Sequence, residues 1–152
     1  MRSRLARFAG YGALGLTTEL AFTGAHAAIA TRGRRFDGHT SVWMFPVYGL
    51  IQPLFEPAHD ALRSRLPAPV RACVYAGGFL AVEYVSGRLY RRLLGEAPWD
   101  YSHARWNVDG LIRADYAIFW GLAGLALERV DDAWRLALVP EKGEHRSGTR
   151  GS

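Results

Sequence analysis

Apolar and polar positions along this chain are segregated into blocks. Long stretches with almost no charge alternate with short arginine-rich ones, with basic residues at Arg2, Arg4 and Arg7, at Arg32, Arg34 and Arg35, at Arg63 and Arg65, and at Arg91 and Arg92. A bilayer imposes this distribution, because apolar runs of about 20 residues cross its core while arginines settle at the headgroups. Four stretches meet the pattern, at about 8–30, 41–62, 70–94 and 111–130. The expected fold is therefore all-α, a multi-pass membrane helical bundle occupying residues 1–139. A polar, aperiodic tail over 140–152 is expected to be disordered.

Each stretch has its own irregularity. The first opens on a basic segment, and Ala25-His26-Ala27 resembles a signal cleavage site. Its length and the mid-stretch Glu19 favour an uncleaved helix over a signal peptide. The second contains Pro46, Pro53 and Pro57 and is expected to be kinked or broken, which a membrane bundle tolerates when neighbours satisfy the freed carbonyls. The third ends on Arg88, Arg91 and Arg92. A loop rich in turn residues and aromatics leads to the fourth, whose start Asn107 or Asp109 is placed to cap. Arginine placement leans toward an orientation with both termini cytoplasmic.

Mean hydropathy is -0.06 and 49% of residues are apolar. Such averages alone would suit a soluble protein, so the segregation carries the argument. The formal charge of +5 first suggests nucleic acid. The arginines flank apolar runs and form no stripe with interleaved polar groups, so no nucleic-acid partner is expected. The expected partners are the lipid bilayer and either further copies of the chain or another membrane protein. Cys73 is the single cysteine, which excludes an internal disulfide, and its neighbours predict a buried small residue.

Glu19 and Glu83 lie near the middle of their stretches, where a charge costs about 2.5–3.5 kcal/mol on insertion scales. A carboxylate there is protonated, paired or turned toward a wet interior. Gly12, Gly15, Glu19 and His26 share one helical stripe, as do Ala76, Glu83, Gly87 and Tyr90, so each acid sits among small residues that admit a neighbouring helix. This face is either a site for a proton, a cation or a polar headgroup, or a packing device in which the acids bond Tyr48, Tyr84 or Thr18. Asp115 extends that site or reaches the interface. Ala117, Gly121 and Gly124 suit close helix contact, and Trp43, Trp99 and Trp106 suit interfacial anchoring. His26, His39 and His103 fall toward one face but lack metal-site spacing, so no metal and no cofactor are expected. Neither a Walker phosphate loop nor a G-x-S-x-G elbow occurs in the sequence.

Three blocks carry a resemblance. They are Phe36-Asp37-Gly38-His39-Thr40-Ser41-Val42-Trp43 with Pro46-Val47-Tyr48-Gly49, then Glu83-Tyr84-Val85-Ser86-Gly87, then Trp99-Asp100-Tyr101-Ser102 with Asn107 and Gly110. In this order the chain resembles the bacterial ABC-transporter type IV family, the CmpB-like permeases, and is equally similar to vertebrate transmembrane protein 229. The similarity runs from about Phe8 to Val130. Bacterial members often read Pro-Ile-Tyr-Gly at residues 46–49. The resemblance implies a multi-pass α-helical membrane protein and places Glu19 and Glu83 on motif positions. Together these residues make Glu19, Tyr48, Glu83, Trp99, Asp100, Tyr101 and Asn107 the candidate polar intramembrane site.

The first function expected is a transport-related, permease-like component. A membrane-embedded enzyme acting on a lipid or lipid-linked substrate is the second, with His39, Asp100, His103 and Glu83 as its acid–base groups. The third is a non-catalytic scaffold or sensor.

Overall fold

The computed structural model describes residues 2–137, with side chains from Arg4 onward. The tail at 140–152, read above as disordered, lies outside the described residues. Four helical rods run up and down. Helix α1 spans Arg2–Ala30. A second rod is built from α2 (Met44–Gly49), a π-helical turn (Ile51–Phe55) and α3 (Glu56–Leu62). Helix α4 spans Ala68–Leu94, and α5 spans Ala117–Ala137. The all-α expectation holds.

Three prolines explain the second rod. Pro53 and Pro57 have no N–H to donate one turn back, so the wider π turn falls where the α-helical ladder is interrupted. The backbone stays right-handed through Leu50 and Glu56, leaving one irregular rod. Helix α4 starts behind the extended Pro67 and stops at Gly95, whose φ of 86° is the left-handed conformation common at helix ends.

The fourth stretch departs from the expectation. Helix α5 begins at Ala117, so neither Asn107 nor Asp109 caps it. Residues 107–113 form a small antiparallel hairpin, Asn107–Val108 against Ile112–Arg113, followed by a 3-10 turn at Ala114–Tyr116. The cause is Asp109-Gly110, where both residues take positive φ, 55° and 66°, the backbone that a tight hairpin turn demands.

Packing is close where glycines permit it. A Cβ at Gly15 would lie 2.1 Å from the Tyr48 ring, and one at Gly124 would lie 2.5 Å from Tyr75 Cβ. Glycine therefore lets α1 meet the second rod and α4 meet α5 at backbone distance. Tyr11 stacks on Trp134, with ring centroids 5.2 Å apart, which joins α1 to α5. Cys73, expected to be buried, is exposed. It points outward from α4 while Tyr75 and Ala76 turn inward.

The apolar core is small: Tyr11, Phe55, Tyr75, Ala76 and Leu111 are its buried members. Buried beside them are Glu56, His59, Glu83, Ser86, Glu128 and Asp131. Large apolar side chains point outward instead, with Ile29 80%, Ile118 78% and Val85 65% exposed. Among the described residues, no helix is long and apolar enough to cross a membrane. Most of each predicted stretch is helical, but none has the uniform apolarity of a simple span. Acids such as Glu19, Glu56, Glu83 and Glu128, and frequent glycine, lower the average.

Candidate functional site

Two polar clusters occupy opposite ends of the bundle. The first contains the residues singled out from sequence. Glu19 on α1 accepts hydrogen bonds at Oε2 from Tyr48 Oη (2.9 Å) and Thr40 Oγ1 (2.8 Å). Thr40 is held nearby because the preceding residue, His39, makes two backbone bonds to Thr23 Oγ1. Glu83 on α4 accepts at Oε1 from Tyr101 Oη (3.0 Å). Each tyrosine also feels the other dyad's carboxylate electrostatically, so the two dyads form one cluster.

Glu83 is the least satisfied member. It is buried, its Oε2 has no hydrogen-bond partner, and neither does the buried indole N–H of Trp120. Buried polar atoms are ordinarily paired, and here the Glu83 carboxylate and the neighbouring Trp120 N–H are a loosely matched pair without full hydrogen-bond geometry.

Trp99, Asp100 and Asn107 build the frame around this cluster. Trp99 donates through Nε1 to the Leu111 carbonyl (2.8 Å). Asp100 accepts from the Ser102 N–H and hydroxyl, both at 2.9 Å. Asn107 donates to the carbonyls of Ala104 and Ser102 and accepts from the Gly110 N–H. Tyr101 N–H donates to the Gly110 carbonyl, which seats Tyr101 over Glu83. Leu111, fully buried, and Trp99 press onto Gly87 of α4, where a Cβ would lie 2.7 Å from Leu111 Cδ2. The loop and hairpin over 99–113 therefore lie over the Glu83 side of α4 like a lid, fastened by the contacts of Trp99, Asp100 and Asn107.

Other sequence candidates go elsewhere. Tyr84 donates to Asp109 (2.7 Å), and Thr18 donates to its own helix at Leu14. Asp115 pairs with Arg113 (2.6 Å) and does not extend the cluster. His26, His39 and His103 form no metal-sized group among the described residues.

The second cluster lies at the opposite end, where α1 begins and α5 ends, and sequence reasoning missed it. Arg7 makes a two-pronged pair with Glu56 (2.8 and 3.0 Å), and Arg71 does the same with Glu128 (2.7 and 2.9 Å). Tyr75 adds a third bond to Glu128 (2.8 Å), and Tyr11 donates to Asp131 (3.2 Å). Arg63 pairs with Asp132, and Arg135 with Asp60 and Asp131. His59 lies among them, within 4 Å of Glu128, Asp131 and Asp132. The available signal was the spacing of Asp131 and Asp132 from Glu128 on one face of α5. At the end of an apolar stretch, such charges read as interfacial.

No solved structure matches the chain. A family model described as Putative ABC-transporter type IV matches residues 6–142. Both clusters and the hairpin fall inside that match, and the chain belongs to this family.

Proposed function

We propose that the chain is a membrane-embedded, transport-related component whose working site is the Glu19–Tyr48 and Glu83–Tyr101 cluster. Support for the bilayer is the inside-out distribution of side chains. The carboxylates of Glu56, Glu83, Glu128 and Asp131 are buried, with Arg7 and Arg71 partly so, while valine, leucine, isoleucine and phenylalanine face out along α1, α4 and α5. Helices of 29, 27 and 21 residues are about 43, 40 and 32 Å long at 1.5 Å per residue. A hydrocarbon core of about 30 Å matches those lengths. Low average hydropathy is what inward-facing polar groups produce, and the lipid-facing side can remain apolar. The orientation with both termini cytoplasmic goes with this reading.

The observation that carries the site is Glu83, a buried carboxylate facing a phenol and an indole and no guanidinium. Neutral donors orient such a group without cancelling its charge, so a proton or a small cation can do so in turn. The family's description supports a role in transport. With no Walker loop in this sequence, ATP hydrolysis would belong to a partner protein.

The test is purified protein in liposomes loaded with a pH-sensitive or sodium-sensitive dye. Wild type should dissipate an imposed gradient, and Glu83→Gln should abolish the flux at unchanged protein level. Absence of flux, together with full cellular activity of Glu19→Gln and Glu83→Gln, would sink the reading. A chain that remains folded and monodisperse without detergent would remove its membrane premise.

A further inference from the structure

At the arginine-rich end five carboxylates (Glu56, Asp60, Glu128, Asp131 and Asp132) pair with four guanidiniums, those of Arg7, Arg63, Arg71 and Arg135, and Arg4 lines the same cleft. Among them sits His59, which is 3% exposed. Its Nδ1 has no hydrogen-bond partner, and neither has Oδ2 of Asp131, which is 0% exposed. Arg135 Nε approaches that oxygen to 2.8 Å as an ion pair without hydrogen-bond alignment.

The direction of the imidazole follows from its neighbours. Arg63 Nη1 lies 3.2 Å from His59 Nε2, and a guanidinium can only donate, so Nε2 is the acceptor and Nδ1 carries the proton. Nδ1 then faces Glu128 Oε1 at 3.8 Å, beyond hydrogen-bond distance. On its other side the Nε2 lone pair faces Asp132 Oδ1 at 3.6 Å and Asp131 Oδ2 at 3.9 Å. Three acceptors thus converge, and the cations that now meet them are the guanidiniums of Arg63 and Arg135.

We propose that His59, Asp131 and Asp60 form a binding site for a divalent transition-metal cation. One ligand atom from each lies within 4.8 Å of the others. Two ligands about 2.0–2.2 Å from a tetrahedral ion stand about 3.4 Å apart, so the imidazole and Asp131 close by a few tenths of an ångström to bind. The imidazole nitrogen favours zinc-like ions over calcium or magnesium, which take oxygen ligands. Arg135 spans Asp60 and Asp131 and Arg63 donates to His59 Nε2, so both guanidiniums must turn outward as the cation enters. The Arg135 side chain is partly exposed and borders a cleft of about 340 Å³, lined also by Arg7, Gln52, Glu56 and Asp60, which provides the path. This site is independent of the Glu83 cluster and of whether the chain sits in a bilayer.

Tag-free full-length protein, stripped with chelator and titrated with Zn²⁺ by calorimetry, tests this. The expected result is one saturable Zn²⁺ per chain. Asp60→Ala, at an exposed rim residue whose removal leaves the buried pairs intact, should weaken it about tenfold or more. His59→Gln should abolish it, together with the visible absorption of the Co²⁺-loaded protein. Asp37→Asn, at an exposed ion pair elsewhere, should bind as wild type does. Should His59→Gln fail to fold, Asp60→Ala decides alone. Non-saturable binding, or Zn²⁺ affinity in Asp60→Ala within threefold of wild type, overturns the proposal.

Discussion

The two ends of this bundle handle buried carboxylates in opposite ways. At the arginine-rich end Glu56 and Glu128 each sit in a two-pronged guanidinium clasp. At the hairpin end Glu19 and Glu83 are met by neutral donors, hydroxyls and the Trp120 indole, with no guanidinium. A guanidinium is permanently charged and keeps its partner ionised and neutralised, which locks the geometry. A phenol orients a carboxylate but leaves its charge to be balanced by something else. The first arrangement holds helices together, and the second leaves a group free to take up a ligand. Even the arginine-rich end departs from its own rule at one place, His59, and there too the exception marks a candidate site.

The strongest test of that contrast is Glu128→Ala. It leaves the partly exposed Arg71 with the Leu66 carbonyl alone and deprives the buried Tyr75 of its acceptor, so the expected loss is about 1–3 kcal/mol, read as detergent-solubilised thermal or denaturant unfolding. Replacing both partners, Arg71→Met with Glu128→Leu, should recover most of that loss, because an apolar pair needs no desolvation. If the double variant is as unstable as the single one, the clasp is more than a way of neutralising two charges.

At the other end the expectation is reversed. Tyr101→Phe removes one hydrogen bond to Glu83 and should cost about 0.5–1.5 kcal/mol. Glu83→Gln keeps the shape and should change stability by no more than that, while flux or cellular function disappears. A Glu83→Gln variant as destabilised as Glu128→Ala would erase the distinction between the ends and favour a scaffold.

How much of this was legible from the sequence depends on the same contrast. Glu19 and Glu83 stood out because each is a lone acid within an apolar run, and Tyr48 and Tyr101 came with the motif blocks around them. Helix α4 fell within two residues of the expected bounds, and α1 ends where expected but begins six residues earlier. The arginine-rich end was invisible because its pairs are 49 and 57 residues apart and Tyr11 reaches Asp131 across 120. Charges near the ends of apolar stretches also look like ordinary interfacial residues. The fourth stretch was ended at 130, although Asp131 turns inward and α5 runs on to Ala137. At its other end the same stretch was begun too early, since Asp109-Gly110 is a hairpin signal and was read only as loop and cap.

The smallest expected effect concerns the lid. Asp100 accepts both Ser102 donors, and these bonds hold its carboxyl below the usual carboxylate range. A folded-state pKa lowered in this way stabilises the lid at pH values above the ordinary carboxylate pKa of about 3.9. The contribution fades as pH falls through the lower folded value, where Asp100 takes up a proton and stops accepting. Ser102 amide exchange should therefore be protected near neutrality and lose protection in acid, in step with Asp100 protonation. Asp100→Ala should show the unprotected rate at every pH, with global melting nearly unchanged because the group lies at the surface. Protection that survives Asp100→Ala would mean that Trp99, Asn107 and the Gly110 turn close the lid alone. Tyr101 would then stay over Glu83 whatever the state of Asp100.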